Sequence, residues 1–249
     1  MNTTKFLNFD CVSLENAAIS LLVTQSVGPR VISLRINGGD NLFAELPDYV
    51  TRRPDGEAFH FYGGHRLWHA PENMSRTYIQ DDGTVDVVPT QNGLSITQPV
   101  EVQTGTEKSI LISLVEQKPH VIVRHTLTNR GLWPVECAPW AITQLKTGGV
   151  AILPQSQQQT EVLPNRSLVL WPYTEIANPH VSWGDQYILV RAELKDRAFK
   201  VGFPNLRGWL AYWHTGTLFV KRASFDLQAA YYDFNCSSEC YCNQHFLEL

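Results

Sequence analysis

The chain has 249 residues, 43% of them hydrophobic, which is enough to bury one large core or two modest ones. Its formal net charge is -4 with no basic run, so the electrostatic footprint that phosphate-backbone binding needs is missing, and no apolar stretch approaches the ~20 residues that span a bilayer. Neither nucleic acid nor a membrane is expected as a partner.

The first residues, MNTTKFLNFDCVSL, carry one lysine but no continuous apolar run of the signal-peptide kind, so a cytoplasmic protein is expected. Strand signals then recur in order: AISLLVT, RVISLRI, LSITQPV, KSILISLVE, HVIVRHTLTN, SLVLWPY, QYILVRAEL, GWLAYWH, TLFVKRASF and QHFLEL. They are short, rich in β-branched and aromatic residues, and punctuated by the turn-forming clusters NGGD, DDGT, QNG, NRG, TGG and HTG. No window of a dozen residues carries a convincing 3.6-residue apolar period. The pattern predicts an all-β fold, a large sandwich or barrel, in a single domain over residues 1–249.

Within VIVRHTLTN the alternation places Ile122, Arg124 and Thr126 on one face and Val123, His125 and Leu127 on the other. Residues 45–62, ELPDYVTRRPDGEAFHFY, read as the longest irregular stretch and are expected to form a loop. They lead into FYGGHRLWHAPE, residues 61–72, which shows neither the helical nor the strand period.

That segment is the first candidate site. Gly63 and Gly64 permit positive φ or close backbone approach, and Tyr62, His65, Arg66, Trp68, His69 and Glu72 surround them. Histidine, arginine and tryptophan together suit a sugar, offering donors and acceptors to hydroxyls and a flat apolar face to the ring. The same residues also fit a structural loop whose Trp68 plugs the end of the sandwich. In GWLAYWHTG, Trp209, Ala211 and Trp213 share one strand face and Leu210, Tyr212 and His214 the other, so one aromatic face is core and the second is free to line a cavity. In the final HFLEL, Glu248 points away from Leu247 and Leu249, either to solvent or into a polar cleft where it could act as a general base. Arg66, Lys221 and Arg222 would meet a phosphate if they converge.

The five cysteines are an odd count, and the C-x3-C-x-C spacing of NCSSECYCNQH differs from the separated C-x2-4-C pairs of structural zinc sites, so buried free thiols are expected rather than a metal centre. Walker, G-x-S-x-G and H-E-x-x-H motifs are absent, and no nucleotide or metal cofactor is implied.

Four stretches taken in order, GPRVISLRINGGDNLF, YGGHRLWHAPE, HTLTNRGLWPVECAPWAITQL and FLEL, resemble the galactose mutarotase-like superfamily, the aldose 1-epimerases and their relatives, and within it a bacterial branch. The resemblance spans nearly the whole chain and implies a β-supersandwich with a concave carbohydrate-binding face. It also implies anomer interconversion: a carboxylate, matched by Glu248, takes the proton of the C1 hydroxyl while an acid protonates the ring oxygen. The superfamily's acid is usually a histidine in an N-H-x-Y-F-like motif, and the matching position here holds Trp140, which can stack on a sugar but cannot deliver that proton. His65, His69 and His214 are the histidines that could take its place. Relatives continue with further strands past the base, so the resemblance also implies a chain clipped at Leu249. Three functions follow: a mutarotase-type enzyme acting on a small carbohydrate, a carbohydrate-recognition protein that kept the cleft and lost the acid, and a structural domain in which the aromatics only pack.

Overall fold

The computed structural model describes residues 2–249. Strands account for 49% of the chain and helix for 2%, so the protein is all-β, built from antiparallel sheets without a closed barrel, as a β-sandwich requires. No helix among the described residues is long and apolar enough to cross a membrane. The chain gathers into two compact units, the first running to Thr143 and the second from Gln144 to Leu249.

The first unit holds β1 (Asn2–Phe6), β2 (Phe9–Glu15), β3 (Ile19–Thr24), β4 (Arg30–Ile36), β5 (Glu45–Arg52), β6 (Ala58–Ala70), β7 (Asp86–Thr90), β8 (Gly93–Thr97), β9 (Thr106–Leu114), β10 (Val121–Asn129) and most of β11 (Ala138–Leu145). One sheet runs β1-β2-β3-β4-β6-β11, with β5 paired to β6, and the other runs β10-β9-β8-β7. Val12, Ile32, Phe59, Ile96, Ile110 and Ile112 are all but inaccessible to water. Burying each such side chain contributes roughly 1.5–3 kcal/mol relative to leaving it exposed. In β10 the alternation holds: Ile122 is 54% exposed while Val123, His125 and Leu127 turn inward.

The second unit holds β12 (Val150–Pro154), β13 (Val169–Leu170), β14 (Val181–Trp183), β15 (Tyr187–Arg191), β16 (Phe199–Phe203), β17 (Trp209–His214), β18 (Thr217–Arg222), β19 (Ser238–Cys242) and β20 (Leu247–Glu248). The end of β11 pairs with β20, followed by β19, β16 and β13; a second sheet runs β14-β15-β12-β17-β18. Cys240, Cys242, Leu247, Leu145, Phe199 and Val201 form core, and every cysteine of the chain is a free thiol. His214 and Thr217 pair across a two-residue turn in which Thr215 and Gly216 both take positive φ, the geometry that matches the twist of a tight hairpin. The helix-like segment Tyr232–Asn235 is a left-handed turn, with φ of 50°, 58° and 69° at Asp233, Phe234 and Asn235.

The structure differs from the sequence reading at residues 45–72. The expected loop is a hairpin, β5 against β6, and FYGGHRLWHA lies inside β6, at 13 residues the longest strand. The physical reason is local. Tyr62, Gly63 and Gly64 take φ of 61°, 91° and 78°, which breaks the alternation in mid-strand, and most of β6 beyond that point is buried on both faces.

Candidate functional site

Chain geometry at Gly63 and Gly64 leaves no room for a side chain. A Cβ at Gly63 would lie 2.0 Å from the carbonyl oxygen of Ala44, and one at Gly64 would lie 2.3 Å from that of Val31. The glycine pair thus lets β6 press against its neighbours on both edges. Tyr62, just before it, packs edge-on against Phe9 at 5.0 Å and stacks on His60 at 5.5 Å. Burial raises the Tyr62 phenol pKa, the charges of Asp82 and Asp81 add to that, and Arg30 opposes it.

Past the glycines β6 alternates again and sorts the candidates. Arg66 and Trp68 share one face. Arg66 is fully buried, with its guanidinium carbon 3.9 Å from the Trp68 ring centre, 5.0 Å from Phe61 and 5.3 Å from Phe59. Such a desolvated cation among aromatic faces gains on the order of 2 kcal/mol. Trp68 also meets Tyr78 at 4.7 Å and, edge-on, the half-buried Trp140 of β11 at 5.7 Å. The structure therefore brings Arg66, Trp68 and Trp140 together.

His65 and His69 point the other way, into the space between the two sheets. His65 Nδ1 lies 2.9 Å from Thr143 Oγ1, and its Nε2 lies 2.7 Å from His125 Nε2 on β10. His69 is 2% exposed, and neither of its ring nitrogens has a hydrogen-bond partner. Burial pushes its pKa down to about 4, with Lys108 lowering it further and Glu101 opposing. Lys108 and Glu101 form a buried ion pair, and Glu101 also accepts from Gln98 Nε2 at 3.0 Å and Thr104 Oγ1 at 2.7 Å. This cluster has no sequence signature, because its members are scattered singly through turns and strands.

In the second unit Glu248 is part-exposed on β20, opposite Gln144 on one side and Tyr241 on the other. Gln144 Nε2 donates to Glu248 Oε1 at 2.9 Å. Lys221 of β18 reaches the same strand, its Nζ donating to the carbonyl oxygen of Leu249 at 2.8 Å. Burial pushes the Lys221 ammonium down to about 7, and the charge of Glu248 opposes that fall. A carboxylate with one oxygen anchored, beside a cation poised near neutrality, is equipped to accept a proton.

His214 is not part of that group. Register pairs it with Thr217 and pairs Leu210 with Lys221, which puts His214 and Lys221 about 13 Å apart along the hairpin. The His214 ring stacks on Tyr212 and contacts Thr215 Oγ1 at 3.1 Å. One further titratable group shares the Glu248 face. Glu239, two residues before Tyr241 on β19, lies 2.8 Å from Lys200 Nζ, and burial pushes its carboxyl up to about 7. It stands inside NCSSECYCNQH, where the cysteine spacing draws attention away from it. Among the described residues no group of three or more histidine, cysteine or acidic side chains is arranged to hold a metal ion.

No known protein family matches the chain, and no curated protein does. Among solved structures it is similar to a TPR-domain containing protein from Parabacteroides distasonis, with a TM-score of 0.51 and 15% sequence identity. The match covers 82% of this chain and 35% of that one, so this chain spans about a third of its neighbour's length. At that identity the likeness concerns the fold alone.

Proposed function

We propose that the protein binds a small carbohydrate and interconverts its anomers, with Glu248 as the base, as the resemblance to the galactose mutarotase-like superfamily implies. The observation that carries this reading is the Glu248 carboxylate itself, part-exposed, anchored by Gln144 and placed beside Lys221. In the reaction the carboxylate removes the C1 hydroxyl proton while an acid protonates the ring oxygen, the ring opens, the C1–C2 bond rotates, and closure from the other face returns both protons. A reducing compartment such as the cytoplasm fits five free thiols and belongs to the same reading.

A second reading, recognition without catalysis, is favoured by the first unit. By the resemblance, Trp140 matches the position of the superfamily's acid histidine, and it is half-buried, as a stacking platform would be.

Saturation-transfer NMR with common aldoses and hexose phosphates, followed on any hit by anomer-exchange spectroscopy, tests both. The enzyme reading expects exchange that Glu248→Gln abolishes while binding persists. The recognition reading expects binding without exchange, indifferent to Glu248→Gln and weakened by Trp140→Ala. Absence of binding would overturn both.

A further inference from the structure

We propose that Glu239 is the general acid that works opposite Glu248, donating its proton to the ring oxygen in place of the histidine that the superfamily resemblance leads one to expect. The inference rests on the epimerase reading above and supplies the partner that reading lacks.

Placement comes first. Tyr241 on β19 pairs directly with Glu248 on β20, and Glu239 is two residues before Tyr241, so all three side chains leave the same face of the sheet. Glu239 and Glu248 are therefore diagonal neighbours across one strand pair, about 7–8 Å apart at the backbone. An acid and a base that work on one sugar ring must leave the same face of the sheet, as these two carboxyls do. Tyr241 is held by neighbours of its own: Asn243 Nδ2 donates to its hydroxyl at 3.3 Å, and its ring meets Phe246 at 5.8 Å and Tyr173 at 6.4 Å.

The surroundings of Glu239 suit an acid. Lys200 on β16 is 4% exposed and lies 2.8 Å from Glu239, so the carboxylate left after proton donation meets a cation already in place. Lys200 is itself fixed, since its ammonium sits 4.1 Å above the Trp171 ring and Thr174 Oγ1 bonds both its backbone N–H (3.0 Å) and its carbonyl (2.7 Å). Gly202, opposite Glu239 on β16, makes room for Trp171 and Cys236, because a Cβ there would lie 2.6 Å from Cys236 Sγ and 3.2 Å from the Trp171 ring. Burial outweighs Lys200, and with a contribution from Asp233 it lifts the Glu239 carboxyl to about 7, so a proton is available near neutrality. The charged and titratable groups on the side of Glu239 are thus Lys200, Asp233, Cys236, Tyr241 on its own strand and, across the strand pair, Glu248.

The proton balance closes. Glu248 takes the C1 hydroxyl proton as the C1–O5 bond breaks and the C1 carbonyl forms, and Glu239 gives its proton to O5. After rotation about C1–C2, the O5 hydroxyl attacks C1, its proton returns to Glu239, and Glu248 returns its own to the new C1 hydroxyl.

The test uses the full chain with D-glucose and D-galactose as probes and reads anomer exchange, binding and the pH profile. Glu239→Gln should fold, bind sugar and lose exchange by about 100-fold or more. In the wild type exchange should fall as pH rises through about 7, where Glu239 gives up its proton. In Lys200→Met that limb should move to higher pH, because the cation no longer favours the carboxylate, and a merely structural Glu239 would not move it. Exchange that vanishes in Glu248→Gln but persists in Glu239→Gln, with an unmoved limb, would overturn the acid assignment alone. A wild type that binds sugar without exchange, or does not bind it, would overturn the epimerase reading and this assignment with it.

Discussion

The Nε2 atoms of His65 and His125 stand 2.7 Å apart and join β6 to β10 inside the first unit. One of them must accept, so the two rings cannot both carry a proton on that nitrogen. His125→Phe leaves His65 Nε2 buried without this partner and is expected to cost about 1–3 kcal/mol. The double replacement with His65→Phe should recover part of that loss, because two apolar rings leave nothing unpaired at this contact. Urea unfolding of the four proteins measures it, and a coupling of zero would mean that the contact adds nothing to stability.

His69 makes stability depend on pH. Its folded pKa of about 4 lies below the ordinary 6.5, so as pH falls the unfolded chain takes up the proton first. Stability from this residue is complete above 6.5 and declines as pH drops toward 4, by a total on the order of 3 kcal/mol. His69→Phe should flatten that decline, which urea titrations at neutral pH and near the folded pKa would reveal. An equal decline in the variant would place the pH dependence elsewhere.

Arg30 is fully buried, pairs with Asp81 at 2.8 Å, and donates to the carbonyls of Phe61 and Gly63 at 2.9 and 2.6 Å. Arg30→Met strands a buried carboxylate and two carbonyls together, and a loss of about 3–5 kcal/mol is expected. Arg30→Lys should recover only part, since an ammonium lacks the fork that reaches three acceptors. Thermal unfolding of both variants checks the order.

Gly64→Ala and Gly38→Ala separate clash from strain. Both positions have positive φ, +78° and +71°, yet a Cβ at Gly38 meets nothing within 4 Å while one at Gly64 would sit 2.3 Å from a backbone carbonyl. Gly38→Ala should cost about 1–2 kcal/mol, the strain of a left-handed alanine. Gly64→Ala should cost clearly more, since the obstacle belongs to the paired strand β4. Similar melting temperatures for the two would show that β4 yields.

How much of this was legible follows from what each residue answers to. RVISLRI became β4 and VIVRHTLTN supplied β10, residue for residue, because β-branching and, in β10, the alternation that pairs burial with position are local properties. FYGGHRLWHAPE defeated the period argument because three successive positive-φ residues sit inside a strand, and only the neighbouring carbonyls of Ala44 and Val31 explain why glycine stands there. Among the candidates, Arg66, Trp68 and Trp140 meet in the first unit and Glu248 meets Lys221 in the second, but His65 and His69 face inward and His214 sits at a hairpin tip. A list of residue types does not say which face of a strand each one leaves by. Glu239, Lys200, Lys108 and Glu101 went unnoticed for the complementary reason: each reads as an ordinary surface charge until a residue distant in sequence covers it.

The buried thiols give the protein a reporter of its own opening. Burial pushes Cys11 up to about 11, Cys236 and Cys242 up to about 12, and Cys240 well above the ordinary thiol range, so almost none is thiolate at neutral pH, and all four are buried, Cys11, Cys240 and Cys242 completely. Alkylation at these positions therefore proceeds at the pace of local unfolding. Because Cys11 belongs to the first unit and the other three to the second, mass spectrometry of labelled peptides would time the breathing of each unit separately, with no probe introduced.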